Sequence, residues 1–129
     1  MKSRFVIEGK EMTERELGGY LLAKSYCVAS YPFGPEAHVF KVLDKMFALI
    51  GYRNEKLAIT LKAKPENVTF LSEEFQCIER GYHMNKKHWV TVTIDGEVPI
   101  GMVKEWIDHS YELVVSKLTK AERMKIKPY

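Results

Sequence analysis

Positions 81 to 89 read GYHMNKKHW and set Tyr82, His83, Asn85, Lys86, Lys87, His88 and Trp89 in one short stretch. Lysine neutralises phosphate, asparagine hydrogen-bonds a base edge or a sugar, and histidine, tyrosine and tryptophan rings stack on bases. The chemistry this mixture suits best is contact with nucleic acid. Metal binding is the other chemistry that two nearby histidines raise. His83 and His88 are five apart rather than at the i, i+4 spacing of a zinc-protease helix, and no H-E-x-x-H occurs. His38 and His109 belong to other elements, so no metal ligand set is assigned. A plainer role stays open for the same residues. Trp89 opens the alternating run WVTVTI, where an indole more commonly packs a core, and paired lysines commonly keep a loop hydrated.

Catalytic patterns are missing elsewhere. There is no G-x-S-x-G elbow, and His109-Ser110-Tyr111 falls inside a helical pattern where adjacent side chains diverge. Gly18-Gly19 also sits in a helical pattern, and no glycine-rich loop follows a strand. Cys27 and Cys77 lack C-x-x-C spacing and read as small core hydrophobes. The expectation is a non-enzymatic protein without a cofactor.

The elements that must position the 81–89 stretch follow from periodicity. Thr13-Glu14-Arg15-Glu16 is a capping box, and Leu17, Tyr20, Leu21 and then Cys27 or Val28 predict a first helix to about Val28. Tyr31-Pro32-Phe33-Gly34-Pro35 breaks regular structure. The run from His38 to Tyr52 predicts two strands about a turn near Leu43-Asp44-Lys45, and Leu57, Ile59 and Leu61 predict a third. Pro65 starts a short helix bearing Val68, Leu71 and Phe75. After WVTVTI, Pro99 starts a long helix whose apolar face runs through Val103, Ile107, Tyr111, Val114 and Leu118. The order α-β-β-β-α-β-α predicts a single α+β domain over 1–129, with an antiparallel sheet and helices packed on one face.

Net charge is +3, and residues 117–129 alone balance at +4, leaving −1 for the rest. A whole-domain attraction to phosphate is thereby excluded, and local patches or a solvated basic tail must supply any. No apolar run approaches the ~20 residues of a membrane helix. The first residues have only the short apolar run Phe5 to Ile7, so no secretory signal is read and a cytoplasmic location is expected.

Three stretches then carry a resemblance: YPFGPEAHVFKVLDKMFALI at 31–50, GYHMNKKHWVTV at 81–92 and WIDHSYELVVSKL at 106–118. Together they resemble the MmcQ/YjbR-like family over nearly the whole chain. The resemblance implies a CyaY-like fold, similar to frataxin, and DNA binding through a double wing. On that reading Lys41 and Lys45 on one projection, and Arg80, His83, Asn85, Lys86, Lys87 and His88 on the other, contact DNA weakly and with little sequence preference. The resemblance also implies a glycine pair at the first projection's tip, where this chain has Leu43-Asp44. The alternative is a small-ligand or protein-interaction module, with Tyr31, Phe33, Tyr82, His83, Asn85 and Trp89 lining one pocket. The frataxin likeness raises iron as well. Glu11, Glu14 and Glu16 are interleaved with Lys10 and Arg15, and no specific iron affinity is expected.

Overall fold

A computed structural model describes residues 13–126. Thr13 caps helix α1 (Glu14–Leu22): its hydroxyl accepts from the Glu16 N–H at 3.1 Å, and the Glu16 carboxylate accepts from the Thr13 N–H at 3.0 Å. The capping box therefore forms as its sequence dictates. The helix stops earlier than its periodicity suggests, at Leu22 rather than near Val28. Tyr26 adopts φ 63°, a left-handed backbone that ends any helix, and strand β1 (Cys27–Ser30) begins at once. Cys27 and Ala29 pack on the core while Val28 is 66% exposed, so these residues obey a period of two.

Strands β2 (His38–Val42), β3 (Lys45–Arg53) and β4 (Lys56–Lys62) form the expected meander. Its two turns, Leu43-Asp44 and Asn54-Glu55, have both central residues at positive φ, the turn type that matches strand twist in two-residue hairpins. Helix α2 (Pro65–Glu74) has proline in its first turn, where the missing N–H costs nothing. Strand β5 (Ile78–Arg80), the 81–88 loop and strand β6 (Trp89–Thr93) follow, and then helix α3 (Ile100–Ser116), with Pro99 as its N-cap. The sheet order is β1-β2-β3-β4-β6-β5, antiparallel throughout.

Two further elements depart from the expected order. Strand β5 has only three residues, too few for periodicity to reveal. Residues 120–126 of the basic segment after α3 form helix α4 (Lys120–Ile126), with Thr119 and Glu122 making reciprocal bonds of 2.9 and 3.1 Å. Residues 127–129 and Glu11 lie outside the described residues.

The core is one cluster in which Leu17 and Leu21 of α1, Val68 of α2, and Val103 and Ile107 of α3 meet the same sheet face. That face shows the cross-strand row Ile50-Ile59-Val92-Ile78. Buried Ser110 fixes α3 to the sheet, donating to the Phe47 carbonyl at 2.6 Å and accepting from the Lys62 N–H at 2.9 Å. The opposite face carries the row Val39-Leu49-Thr60-Thr91-Glu79.

Candidate functional site

The register fixes where each projection leaves the sheet. Lys62 at the end of β4 pairs with Trp89 at the start of β6, and Val42 pairs with Lys45 across the first turn. The Leu43-Asp44 turn and the 81–88 loop therefore leave from one end, separated by three strand spacings, about 15 Å. The segment 31–37 and the Asn54-Glu55 turn leave from the other end.

Much of the 81–88 loop is occupied by its own architecture. The Gly81 N–H donates to the Trp89 carbonyl at 2.7 Å, and the Lys86 Nζ donates to the Gly81 carbonyl at 2.9 Å. The Asn85 Oδ1 accepts from the Lys87 N–H at 2.9 Å, an Asx turn. A Cβ at Gly81 would stand 2.7 Å from the Trp89 Cβ, so only glycine fits this close approach. The Tyr82 N–H donates to the Thr91 Oγ1 at 3.0 Å, and Thr91 in turn bonds Thr60 at 2.8 Å on the face away from the helices. His83, at φ 62°, packs its ring 4.0 Å from that of Tyr82. The loop thus folds back on the sheet rather than projecting freely.

This sorts the residues expected to touch DNA. Arg80 turns to α2 and donates to the Thr69 Oγ1 at 3.3 Å, away from the loop. Asn85 and Lys86 brace the loop from within. Among the described residues, Lys41, Lys45, His83 and Lys87 have no side-chain hydrogen-bond partner, and His83, Lys45 and Lys87 are exposed. His88 is half-buried, its carbonyl accepting from the Ala63 N–H at 2.9 Å.

The pocket expected to join the Tyr31 and Tyr82 segments does not form as expected. Tyr31 stacks on His38 at 4.2 Å, and the shallow hollow at Tyr31, Gly34 and Pro35 includes none of the 81–89 residues. Tyr31 follows β1 and Tyr82 follows β5, the two opposite edge strands of the sheet, which is why they do not converge. Phe33 is 76% exposed, and Trp89 is only 9% exposed.

A different hollow lies at the turn end. It encloses about 380 Å³ and is lined by Lys45 and Asp44 from the first turn, Lys62 from β4, Trp89 from β6, and Lys117 at the C-cap of α3. The Lys62 Nζ stands 5.9 Å from the centre of the Trp89 ring. Three lysines and one aspartate thus line it beside the Trp89 indole, and the Glu122 carboxylate of α4 lies within the field of Lys45. Lys62 and Lys117 were not identifiable as partners of Lys45, because only the β4–β6 pairing and the path of α3 bring them together.

Burial pushes the Cys27 thiol up to about 11, and burial followed by the neighbouring Glu97 pushes that of Cys77 up to about 12. Among the described residues, Cys77, Asp95 and Glu97 form one group of potential metal ligands, but the Glu97 carboxylate already accepts from the Cys77 and Gln76 N–H groups at 2.8 and 3.2 Å. Of the carboxylates considered for iron, Glu14 accepts from the Tyr52 hydroxyl at 2.6 Å and Glu16 closes the capping box.

Comparison with known proteins places these features in context. The family model described as YjbR matches residues 22–113. The chain is 36% identical over 98 residues to the uncharacterized protein YbdF of Escherichia coli O157:H7, covering 76% of this chain and 80% of YbdF. It is 32% identical over 112 residues to the uncharacterized protein YjbR of Escherichia coli K12, covering 87% and 95%. A crystal structure of Deinococcus radiodurans protein DR2400, a DUF419 domain, superposes with a TM-score of 0.83 at 39% identity, over 93% of this chain and 91% of that one. A Pseudomonas syringae protein superposes with a TM-score of 0.69 at 28% identity, over 79% and 98%.

Proposed function

The chain belongs to the YjbR family, and we propose that it binds the phosphate backbone of DNA through the turn end of its sheet. The observation that carries this reading is the hollow in which Lys45, Lys62 and Lys117 converge between the two projections. A phosphate seated there would meet three lysines, with exposed Lys87 on the adjoining loop for its neighbour. Asp44 at the tip of the first turn opposes that contact, and the wider chain adds little attraction at a net charge of +3. Binding is therefore weak, salt-sensitive and indifferent to base sequence. The half-buried or internally bonded residues of the loop are scaffold for this surface. The activity is binding, without a catalytic step.

Titration of a fluorescein-labelled duplex at low salt tests the reading. Nonspecific dissociation constants of about 10⁻⁴ to 10⁻⁶ M are expected, with log K falling against log salt at a slope of about −0.9 for each phosphate neutralised. Reversal of Lys45, Lys62 or Lys117 to glutamate should weaken binding and flatten that slope. The same change at Lys24, which is ion-paired to Asp108, should do neither. No binding by about 10⁻⁴ M, or equal losses at Lys24 and Lys62, would sink the proposal.

A further inference from the structure

A further opening lies on the helical side of the sheet, between α2 and α3. The two helices run antiparallel across the sheet, and Phe75, the C-cap of α2, meets the edge of Trp106 of α3, ring centres 6.0 Å apart. Between them lies a groove of about 620 Å³ whose lining runs from Trp106 to Lys64 and Ser116. Leu61 of β4 and Val90 of β6 form its floor, and Phe70, Leu71, Trp106 and Leu113 its walls. Phe70 is 59% exposed at this position, although its helix buries Val68 and Leu71 on the core side. A volume in the range of about 300 to 1,000 Å³ with an apolar lining suits a small organic molecule.

Charge identifies the kind of molecule. Lys62 and Lys64 both line the groove, and neither makes an ion pair with a described residue. Lys64 is also the N-cap of α2, where the helix adds positive potential. His109 and Asn67 offer hydrogen-bonding groups along the walls, and Glu112 is the one carboxylate on the lining. We infer that this groove binds a small amphipathic carboxylate, its apolar body between Phe70, Trp106 and Leu113 and its acid group at Lys62 and Lys64. This site does not rest on the DNA reading: Phe70 and Trp106 lie outside the phosphate hollow, and only Lys62 lines both.

Nuclear magnetic resonance titrations of the full chain with octanoate, octanol and octylammonium test it. Octanoate should saturate at one molecule per chain, moving the resonances of Phe70, Trp106 and Leu113. Octanol should bind about tenfold more weakly or worse, and octylammonium more weakly again. Lys62→Gln with Lys64→Gln should bring octanoate down to the octanol level while leaving octanol unchanged. Phe70→Ser, at an exposed position that leaves the core intact, should remove binding of all three and leave the duplex titration as it was. Absence of saturable octanoate shifts at the groove overturns the inference. So does octanol or octylammonium binding as tightly as octanoate, or octanoate binding unaffected by either variant.

Discussion

The Arg53 guanidinium stands 3.8 Å from the centre of the Tyr82 ring, while its Nε and Nη2 donate to the Glu79 carboxylate at 2.6 and 3.1 Å. One side chain from the far end of β3 thus ties β5 to the loop that follows it. The ion pair holds the guanidinium in place, and the guanidinium holds the ring. With the Tyr82 N–H on Thr91, the start of the loop is pinned at both ring and backbone.

Arg53→Met should release that ring without unfolding the sheet. Hydrogen exchange at the Tyr82 amide is expected to quicken by about tenfold, as a local opening does, with the Ile59 and Val92 amides unchanged. If all three quicken together, the contact supports the whole sheet and not the loop.

Gly81→Ala should be costly although it adds a single methyl group. Its Cβ would meet the Cβ of Trp89 at 2.7 Å and that of Met84 at 3.0 Å, atoms that cannot swing aside as a flexible tip can. Overpacking of this kind costs about 1–3 kcal/mol, to be read as a lowered urea midpoint at unchanged slope. The control is Gly96→Ala, where nothing stands within 4 Å but φ is +92°, so that its loss comes from backbone strain alone.

These contacts show which parts of the molecule its sequence declares. The capping box at Thr13, the meander and the amphipathic α3 are local patterns, and each forms. The pattern Thr119-x-x-Glu122 had the same form as the one at Thr13, and its lysine-rich setting masked it. Tyr26 is different: its left-handed φ stands just before the pairing of β1 with β2, a contact no window of sequence contains. The site divides in the same way. GYHMNKKHW reads as a binding surface by composition, yet Lys86 and Asn85 close the loop internally, because hydrogen-bonding groups serve a scaffold as well as a ligand. Lys62 and Lys117 complete the hollow only through tertiary contacts.

Ser110→Ala should destabilise the protein far more than its size suggests. The hydroxyl is fully buried and serves two backbone groups, the Phe47 carbonyl and the Lys62 N–H, on adjacent strands. Removing it strands both, a loss of about 1–3 kcal/mol in chemical denaturation. Exposed Ser116, whose hydroxyl donates only to the Leu113 carbonyl one turn earlier, is the comparison and should change stability by about 0.5 kcal/mol or less on replacement by alanine. Equal losses at the two positions would mean that Ser110 is an ordinary helix residue and not the link between α3 and the sheet.

Acid should weaken the seam between α1 and α3 through Asp108. Partial burial alone would raise its carboxyl, but hydrogen bonds from Lys24 and Tyr20, with the positive charge of Lys24 and then of His109, hold it below its ordinary value of 3.8. A carboxyl whose folded value lies below its unfolded one stabilises fully above the unfolded value and loses that contribution as pH falls through the folded one. The affected window therefore lies at and below about pH 4. The pair is partly open to water, with side-chain exposures of 23% for Lys24 and 37% for Asp108, so screening limits its worth to about 1 kcal/mol or less. Asp108→Asn should cost that amount at neutral pH and nothing at the acid limit, where the wild-type carboxyl is already protonated. Urea midpoints measured from neutral pH downward should accordingly converge for the two proteins. A gap that stays constant through this window would mean that Asp108 acts there by shape and hydrogen bonding, with no contribution from its charge.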